Sequence, residues 1–282
     1  MRITTLVENR PSKSNPRLVA EWGLSLHVAF NGHDILFDTG TSGSFADNAK
    51  HLSVNIAAVD TAVLSHHHFD HGGGLKRFLD LNSSAKVHLG ETPKGDCYIK
   101  IFRFVKKYIG LDKALMSNYP DRFETITKLT QILPDVFLIP HMLDTYPRPV
   151  GNKNIYLKRD GTFALDDFAH EIVMAIKENG KLVVFTGCSH SGILNMLETV
   201  AREFNGVPIK AVIGGLHLIS APPFNFMAGM KWEVEELGRS ILNYPIDETY
   251  TGHCTGTQAF QVLKSVMGNR LRDVQTGSSF DV

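Results

Sequence analysis

The sequence has little cysteine, no excess of charge of either sign and no long apolar run. Its three cysteines, Cys97, Cys188 and Cys254, are odd in number and far apart, forming neither a CxxC pair nor a disulfide framework. A reducing compartment is the expectation. Lys+Arg and Asp+Glu are both 29 in a chain of 282 residues, a balance that exerts no pull toward nucleic acid or an anionic membrane surface. No apolar run approaches the ~20 residues of a membrane helix, and the opening MRITTLVEN is too short and too polar for a signal peptide. These absences predict a cytoplasmic protein whose partner is a small molecule, not nucleic acid or a membrane. A homo-oligomer is compatible with them.

What the sequence does have is a dense cluster. Ser65-His66-His67-His68-Phe69-Asp70-His71 places four histidines and one aspartate in six consecutive positions. It follows Thr61-Ala62-Val63-Leu64, an apolar run that reads as a buried strand. Gly72-Gly73-Gly74 comes next and predicts a tight turn into a helix beginning at Leu75. Imidazole and carboxylate are ligands that zinc, iron and manganese accept. An internal run behind an apolar strand is not a surface tag.

The remaining chain reads as strands punctuated by turns. Asn31-Gly32 predicts a two-residue hairpin between Ser25–Phe30 and Asp34–Asp38. Asp38 then opens a Gly/Ser-rich loop that lacks the phosphate-loop pattern. Residues 91–165 break the rhythm: Cys97 to Tyr108 mixes bases with aromatics, and Tyr146-Pro147-Arg148-Pro149 is loop chemistry. Basic and aromatic mixing suits a nucleic-acid surface, and it equally suits stems that cover a core; the second reading is preferred. From Ile172 on, three strands end in Gly187-Cys188-Ser189-His190, Gly214-Gly215-Leu216-His217 and Gly252-His253-Cys254. Each delivers one histidine at a strand end, and their convergence on the His/Asp cluster is expected.

The spacing His66-x-His68-x-Asp70-His71, with these strand-end motifs, resembles the metallo-β-lactamase superfamily. More narrowly, it resembles a subfamily of metal-dependent hydrolases that includes proteins similar to 7,8-dihydropterin-6-methyl-4-(β-D-ribofuranosyl)aminobenzene-5'-phosphate synthase. The resemblance runs from Asp38 to Gly256 and implies an α/β fold, a four-layer αββα sandwich. It implies one domain over residues 1–282, with an insertion at about 91–165 covering the active site. It also implies two divalent cations, zinc first, with manganese or iron as alternatives. His66, His68 and His190 would hold one, and Asp70, His71 and His253 the other. Asp38 would brace the ligand loop, or merely form a turn. Asp70 would also orient the attacking water, and His217, unless simply packed, would donate a proton or hydrogen bond. The implied activity is hydrolysis of a phosphate-bearing or pterin-like small molecule by a metal-bound hydroxide. A non-hydrolytic metal-binding protein or a di-iron redox relative is the alternative. The bridging aspartate of the superfamily is expected where Gly187-Cys188 stands. Either Cys188 replaces it as a soft ligand, or no bridging residue exists.

Overall fold

The fold is described from a computed structural model, for residues 1–101, 105–220 and 226–282. Among these residues the strands form three sheets. In the first, the order is Ser279–Asp281, Arg2–Val7, Ser25–Phe30, His33–Phe37, Thr61–Leu64, Lys86–Leu89 and Phe123–Thr125. In the second it is Leu271–Asp273, Ile246–Thr251, Ile209–Ile213, Lys181–Phe185, Val173–Glu178, Val136–Ile139 and Thr130–Leu133.

Alternation of side chains packs these two sheets face to face. Ile35, Phe37 and Val63 of the first share one core with Val183, Phe185 and Ile213 of the second, and the rings of Phe37 and Phe185 approach to 5.8 Å between centroids. The opposite faces bury helices. Leu36, Ala62 and Leu64 pack with Phe45 and Ala49 of helix Ser44–His51 and with Leu75 and Phe78 of helix Leu75–Leu81. Val184 and Val212 pack with Met196, Val234 and Leu263 of helices Ile193–Glu203, Lys231–Leu242 and Thr257–Met267. The layers are therefore helix, sheet, sheet, helix, the αββα arrangement expected. No described helix is long and apolar enough to cross a membrane.

The hairpins form where Asn-Gly predicts them. Asn31 and Gly32 have φ of 48° and 81°, and Asn179 and Gly180 have 52° and 77°, the paired positive angles of the turn that matches strand twist. The glycines after the His/Asp cluster act differently from the expected turn. Gly72 closes a short helix, Phe69–Gly72, and Gly73 and Gly74 are themselves helical. Glycine is required there by close approach: a side chain at Gly73 would strike the Thr41 carbonyl, and one at Gly74 those of Thr39 and Ser42.

The 91–165 stretch contributes to all three sheets. Phe123–Thr125 extends the first, Thr130–Leu133 and Val136–Ile139 the second. Asp96–Ile101, Val105–Tyr108, Ile155–Arg159 and Thr162–Leu165 make the third. Cys97, Ile155 and Leu157 face Phe168 and Phe69 on its inner side, while Lys100 lies 3.5 Å above the Tyr156 ring on the outer side. Phe102, Arg103 and Phe104 of the basic-aromatic run lie outside the described residues.

Candidate metal centre

Convergence of the strand ends follows from strand direction. His33–Phe37, Thr61–Leu64 and Lys86–Leu89 are parallel, as are Lys181–Phe185, Ile209–Ile213 and Ile246–Thr251. Parallel neighbours present their C-terminal ends along one edge of each sheet. The segments that leave those ends carry Asp38, Ser189, His217 and His253 at φ between 45° and 59°. Positive φ is uncommon outside glycine, and its recurrence marks loops bent to aim side chains inward.

Four groups of ligand-type atoms result among the described residues, and two of them gather the expected metal ligands. In the first, one atom each from His66, His68 and His190 lie within 4.8 Å of one another. All three Nε2 atoms are buried and have no hydrogen-bond partner. In the second, Asp70, His71, Cys188 and His253 converge within the same limit. There His71 Nε2 lies 3.1 Å from His253 Nε2 and 3.2 Å from Cys188 Sγ, and Asp70 Oδ2 lies 3.3 Å from His253 Nε2.

The outer nitrogens of four rings are occupied, which fixes those rings. His71 Nδ1 donates to Asp38 Oδ2 at 2.6 Å. Ser65 Oγ donates to Asp38 Oδ2 at 2.8 Å and accepts from His66 Nδ1 at 2.9 Å. His190 Nδ1 donates to Asn152 Oδ1, and His253 Nδ1 to Asn9 Oδ1, each at 2.9 Å. A ring that donates through Nδ1 turns its Nε2 lone pair inward. His67 points away, with Nε2 donating to the Gly90 carbonyl at 3.1 Å.

Charge separates the groups. Burial first, then neighbouring imidazoles, drive His66 and His190 well below the usual histidine range and His68 down to about 3. These rings are neutral at pH 7 and available as ligands. Burial also opposes a charge on His71, but Asp38 and Asp70 outweigh it and raise it to about 9. Asp70 is held well below the usual carboxylate range: burial alone would raise it, and His71 and His253 overcome that. Burial pushes the Cys188 thiol up. Cys254 is held down, because Cys188 and His217 outweigh its own burial.

Several contributors are not marked by any local sequence pattern. Trp22 donates its indole N–H to Asp70 Oδ2 at 3.0 Å. The Glu171 carboxylate accepts the backbone N–H groups of His190 and Ser191 at 2.8 and 2.7 Å. Glu8 accepts the N–H of His253. The one available hint is that Glu171 directly follows a histidine and precedes a strand.

His217 is half-buried, with its ring 4.1 Å from that of His190 and a ligand nitrogen within 4.8 Å of Cys188 and His190. It lines a cleft of about 370 Å³ whose floor includes His68, Asp70, Cys188 and His190. Trp22 and Phe69, with Ile99, Lys107, Ile109 and Ile155 of the 91–165 stretch, form the walls. His141 enters none of these groups, and its Nε2 lies 3.1 Å from the Thr127 carbonyl.

The comparisons with known proteins agree with this geometry. Residues 25–93 match the Metallo-beta-lactamase superfamily. The chain is 29% identical over 281 residues to the 7,8-dihydropterin-6-methyl-4-(beta-D-ribofuranosyl)-aminobenzene-5'-phosphate synthase of Methanocaldococcus jannaschii, covering 92% of this chain and 89% of that one. It is 28% identical to an uncharacterized protein of the same archaeon, MJ0448, with 94% of each covered. A solved metal-dependent hydrolase of the β-lactamase superfamily superposes with a TM-score of 0.80 at 27% identity, over 100% of this chain and 99% of that one. Zinc-bound PqqB from Methylobacterium extorquens shares the fold at 11% identity and a TM-score of 0.60, with both chains fully covered. Fold, strand-end ligand groups and sequence matches lead to one conclusion: this chain carries a metallo-β-lactamase superfamily domain.

Proposed function

We propose that the protein is a metal-dependent hydrolase acting on a small phosphate-bearing or pterin-like molecule. The observation that carries this reading is the set of three buried, unpartnered Nε2 atoms on His66, His68 and His190. A buried polar atom without a partner costs about 1–3 kcal/mol, and three such histidines grouped within 4.8 Å make sense as ligands. His66, His68 and His190 would hold one divalent cation, and Asp70, His71 and His253 a second. Zinc is the first expectation, with manganese and iron as alternatives. Bound there, such cations supply Lewis acidity and a nucleophilic water near neutral pH.

The chain's own residues supply the rest. Asp70, steered by the Trp22 indole, faces the cleft and would orient the water. His217 borders the same cleft with its Nδ1 buried and unpartnered, placed to give a proton to a leaving group. The walls from the 91–165 stretch exclude water around the substrate, and Lys107 offers a cation for an anionic group.

A second reading, a non-hydrolytic metal-dependent step, is favoured by one observation: one of the relatives is named a synthase. Turnover of an activated aryl phosphodiester, with and without chelator, separates the two. Hydrolysis that vanishes with chelator and returns with zinc or manganese is the expected result, with β-lactams cleaved poorly. Chelator-insensitive hydrolysis would overturn the mechanism. Metal loading without any hydrolysis would favour the second reading.

A further inference from the structure

The three-histidine group draws on two sheets. His66 and His68 follow the strand Thr61–Leu64 of the first, and His190 follows the strand Lys181–Phe185 of the second. Three nitrogens suit one cation only if the two edges keep a fixed spacing. One segment, residues 166–172, makes hydrogen bonds to both edges.

On the first-sheet side, Ile172 N–H donates to the Ser65 carbonyl at 2.8 Å. In a continued antiparallel ladder the next rung would give His67 N–H the His170 carbonyl. It meets the ring instead: His67 N–H donates to His170 Nδ1 at 3.2 Å. On the second-sheet side, Glu171 accepts the N–H groups of His190 and Ser191 at 2.8 and 2.7 Å. The Phe168 ring lies flat on that of His190, with 4.4 Å between centroids and 4° between planes. The consecutive residues His170 and Glu171 thus serve opposite ligand loops.

We propose that His170, oriented by Asp166, is a positioning residue that, together with Glu171, sets the spacing of His66 and His68 from His190. A backbone N–H can only donate, so His170 Nδ1 carries a lone pair and Nε2 the hydrogen. Nε2 then donates to Asp166 Oδ2 at 3.3 Å, while Asp166 Oδ1 accepts Phe168 N–H at 2.8 Å. The carboxylate therefore selects the tautomer that can hold His67. Ligand-type atoms of His68, Cys97, Asp166 and His170 lie within 4.8 Å of one another, the composition of a further cation site. Both His170 nitrogens are already engaged, however, so no lone pair remains there for a cation. The packing is built round this contact. His67 is gripped again through Nε2, which donates to the Gly90 carbonyl at 3.1 Å, and any side chain at Gly90 would strike the His170 carbonyl. Ser65 and His67 are thus held from outside, while His66 and His68 supply the ligand group.

This positioning role rests on the three-histidine cation proposed above, not on hydrolysis, and zinc titration against a chromophoric chelator tests it. His66→Ala and His253→Ala, each lacking one equivalent, identify the two equivalents. His170→Ala should weaken the equivalent that His66→Ala removes by roughly 10–100-fold. The other should be unchanged, because among the described residues no hydrogen bond joins 166–172 to Asp70, His71 or His253. His170→Asn, whose Oδ1 replaces Nδ1 as acceptor, should recover most of the loss. A merely structural role would lower stability in both variants without separating the two equivalents. Unchanged affinity in His170→Ala, an equal loss in both variants or equal weakening of both equivalents would overturn the proposal. Should the alanine variant fail to fold, nitrogen-15 NMR of the unmodified protein decides. His170 protonated on Nε2 and bare at Nδ1 is expected, and a hydrogen on Nδ1 overturns the proposal. Unmodified protein that binds no zinc would remove this role together with the cation reading, whereas zinc binding without hydrolysis would remove only the hydrolase.

Discussion

The two halves of the ligand cluster are built on opposite principles. In the three-histidine half, burial keeps every ring neutral, and the Nε2 atoms have no hydrogen-bond partner. In the mixed half, the same inward-facing atoms already satisfy one another: Asp70 with His253 and Trp22, His71 with Cys188. The first half carries its desolvation cost unrelieved until a cation arrives. The second is a charge-balanced network that a cation must reorganise. The difference teaches that two sites a few ångströms apart, on loops from the facing edges of two sheets, need not have the same affinity. The three-histidine half is expected to fill first.

The largest effect that would break this comparison comes from the ligands themselves. His66→Ala or His190→Ala should each remove about one metal equivalent and abolish activity. His253→Ala should remove the later-filling equivalent and leave the first. His67→Ala should leave metal content unchanged, because its ring serves the Gly90 carbonyl. Atomic absorption on each purified variant is the measurement. Loss of metal in His67→Ala with retention in His66→Ala would mean the two rings have been assigned to each other's roles.

Next in size is His217, which borders both halves. His217→Ala should slow turnover by roughly 10²–10⁴-fold if it acts as a general acid, with metal content intact. The loss should shrink for a substrate whose leaving group needs no proton. An equal loss for both substrates, or full activity, would take His217 out of the proton path.

How far the sequence reveals all this depends on distance along the chain. Asn31-Gly32 and Asn179-Gly180 predict their hairpins because the turn conformation is a property of the two residues alone. His66-x-His68-x-Asp70-His71 is legible for the same reason, since one short segment carries the pattern. The later histidines are legible as strand-end residues, and the parallel register then brings them together. Asn9 and Glu8 are different. They grip His253 from 244 and 245 positions away, and nothing at Glu8-Asn9 announces a partner that only the folded sheets provide. Gly72-Gly73-Gly74 is a subtler case: the glycines are plain in the sequence, but their reason is the neighbouring 39–42 loop, not a turn. The 91–165 stretch is least legible because its short strands are distributed among three sheets, each completed by distant partners.

The smallest effects test whether the two halves are positioned independently. Asn152 and Asn9 play matching parts, one in each half. Asn152 accepts from His190 Nδ1 at 2.9 Å and donates to the His190 carbonyl at 2.7 Å. Asn9 accepts from His253 Nδ1 at 2.9 Å and donates to the His253 carbonyl at 3.3 Å. Each asparagine thus grips its histidine twice, at ring and backbone, which fixes both the tautomer and the direction of Nε2. Removing such a partner typically costs 10–100-fold in metal affinity. Asn152→Ala should therefore weaken the first-filling equivalent by about that factor and leave the second. Asn9→Ala should do the reverse. Asn9→Asp, which keeps the acceptor but not the donor, should recover most of the loss, because the ring contact is the shorter of its two. Competitive titration against a chromophoric chelator resolves the two equivalents. If both alanine variants weaken the same equivalent, the halves are one coupled unit and not two independently positioned sites.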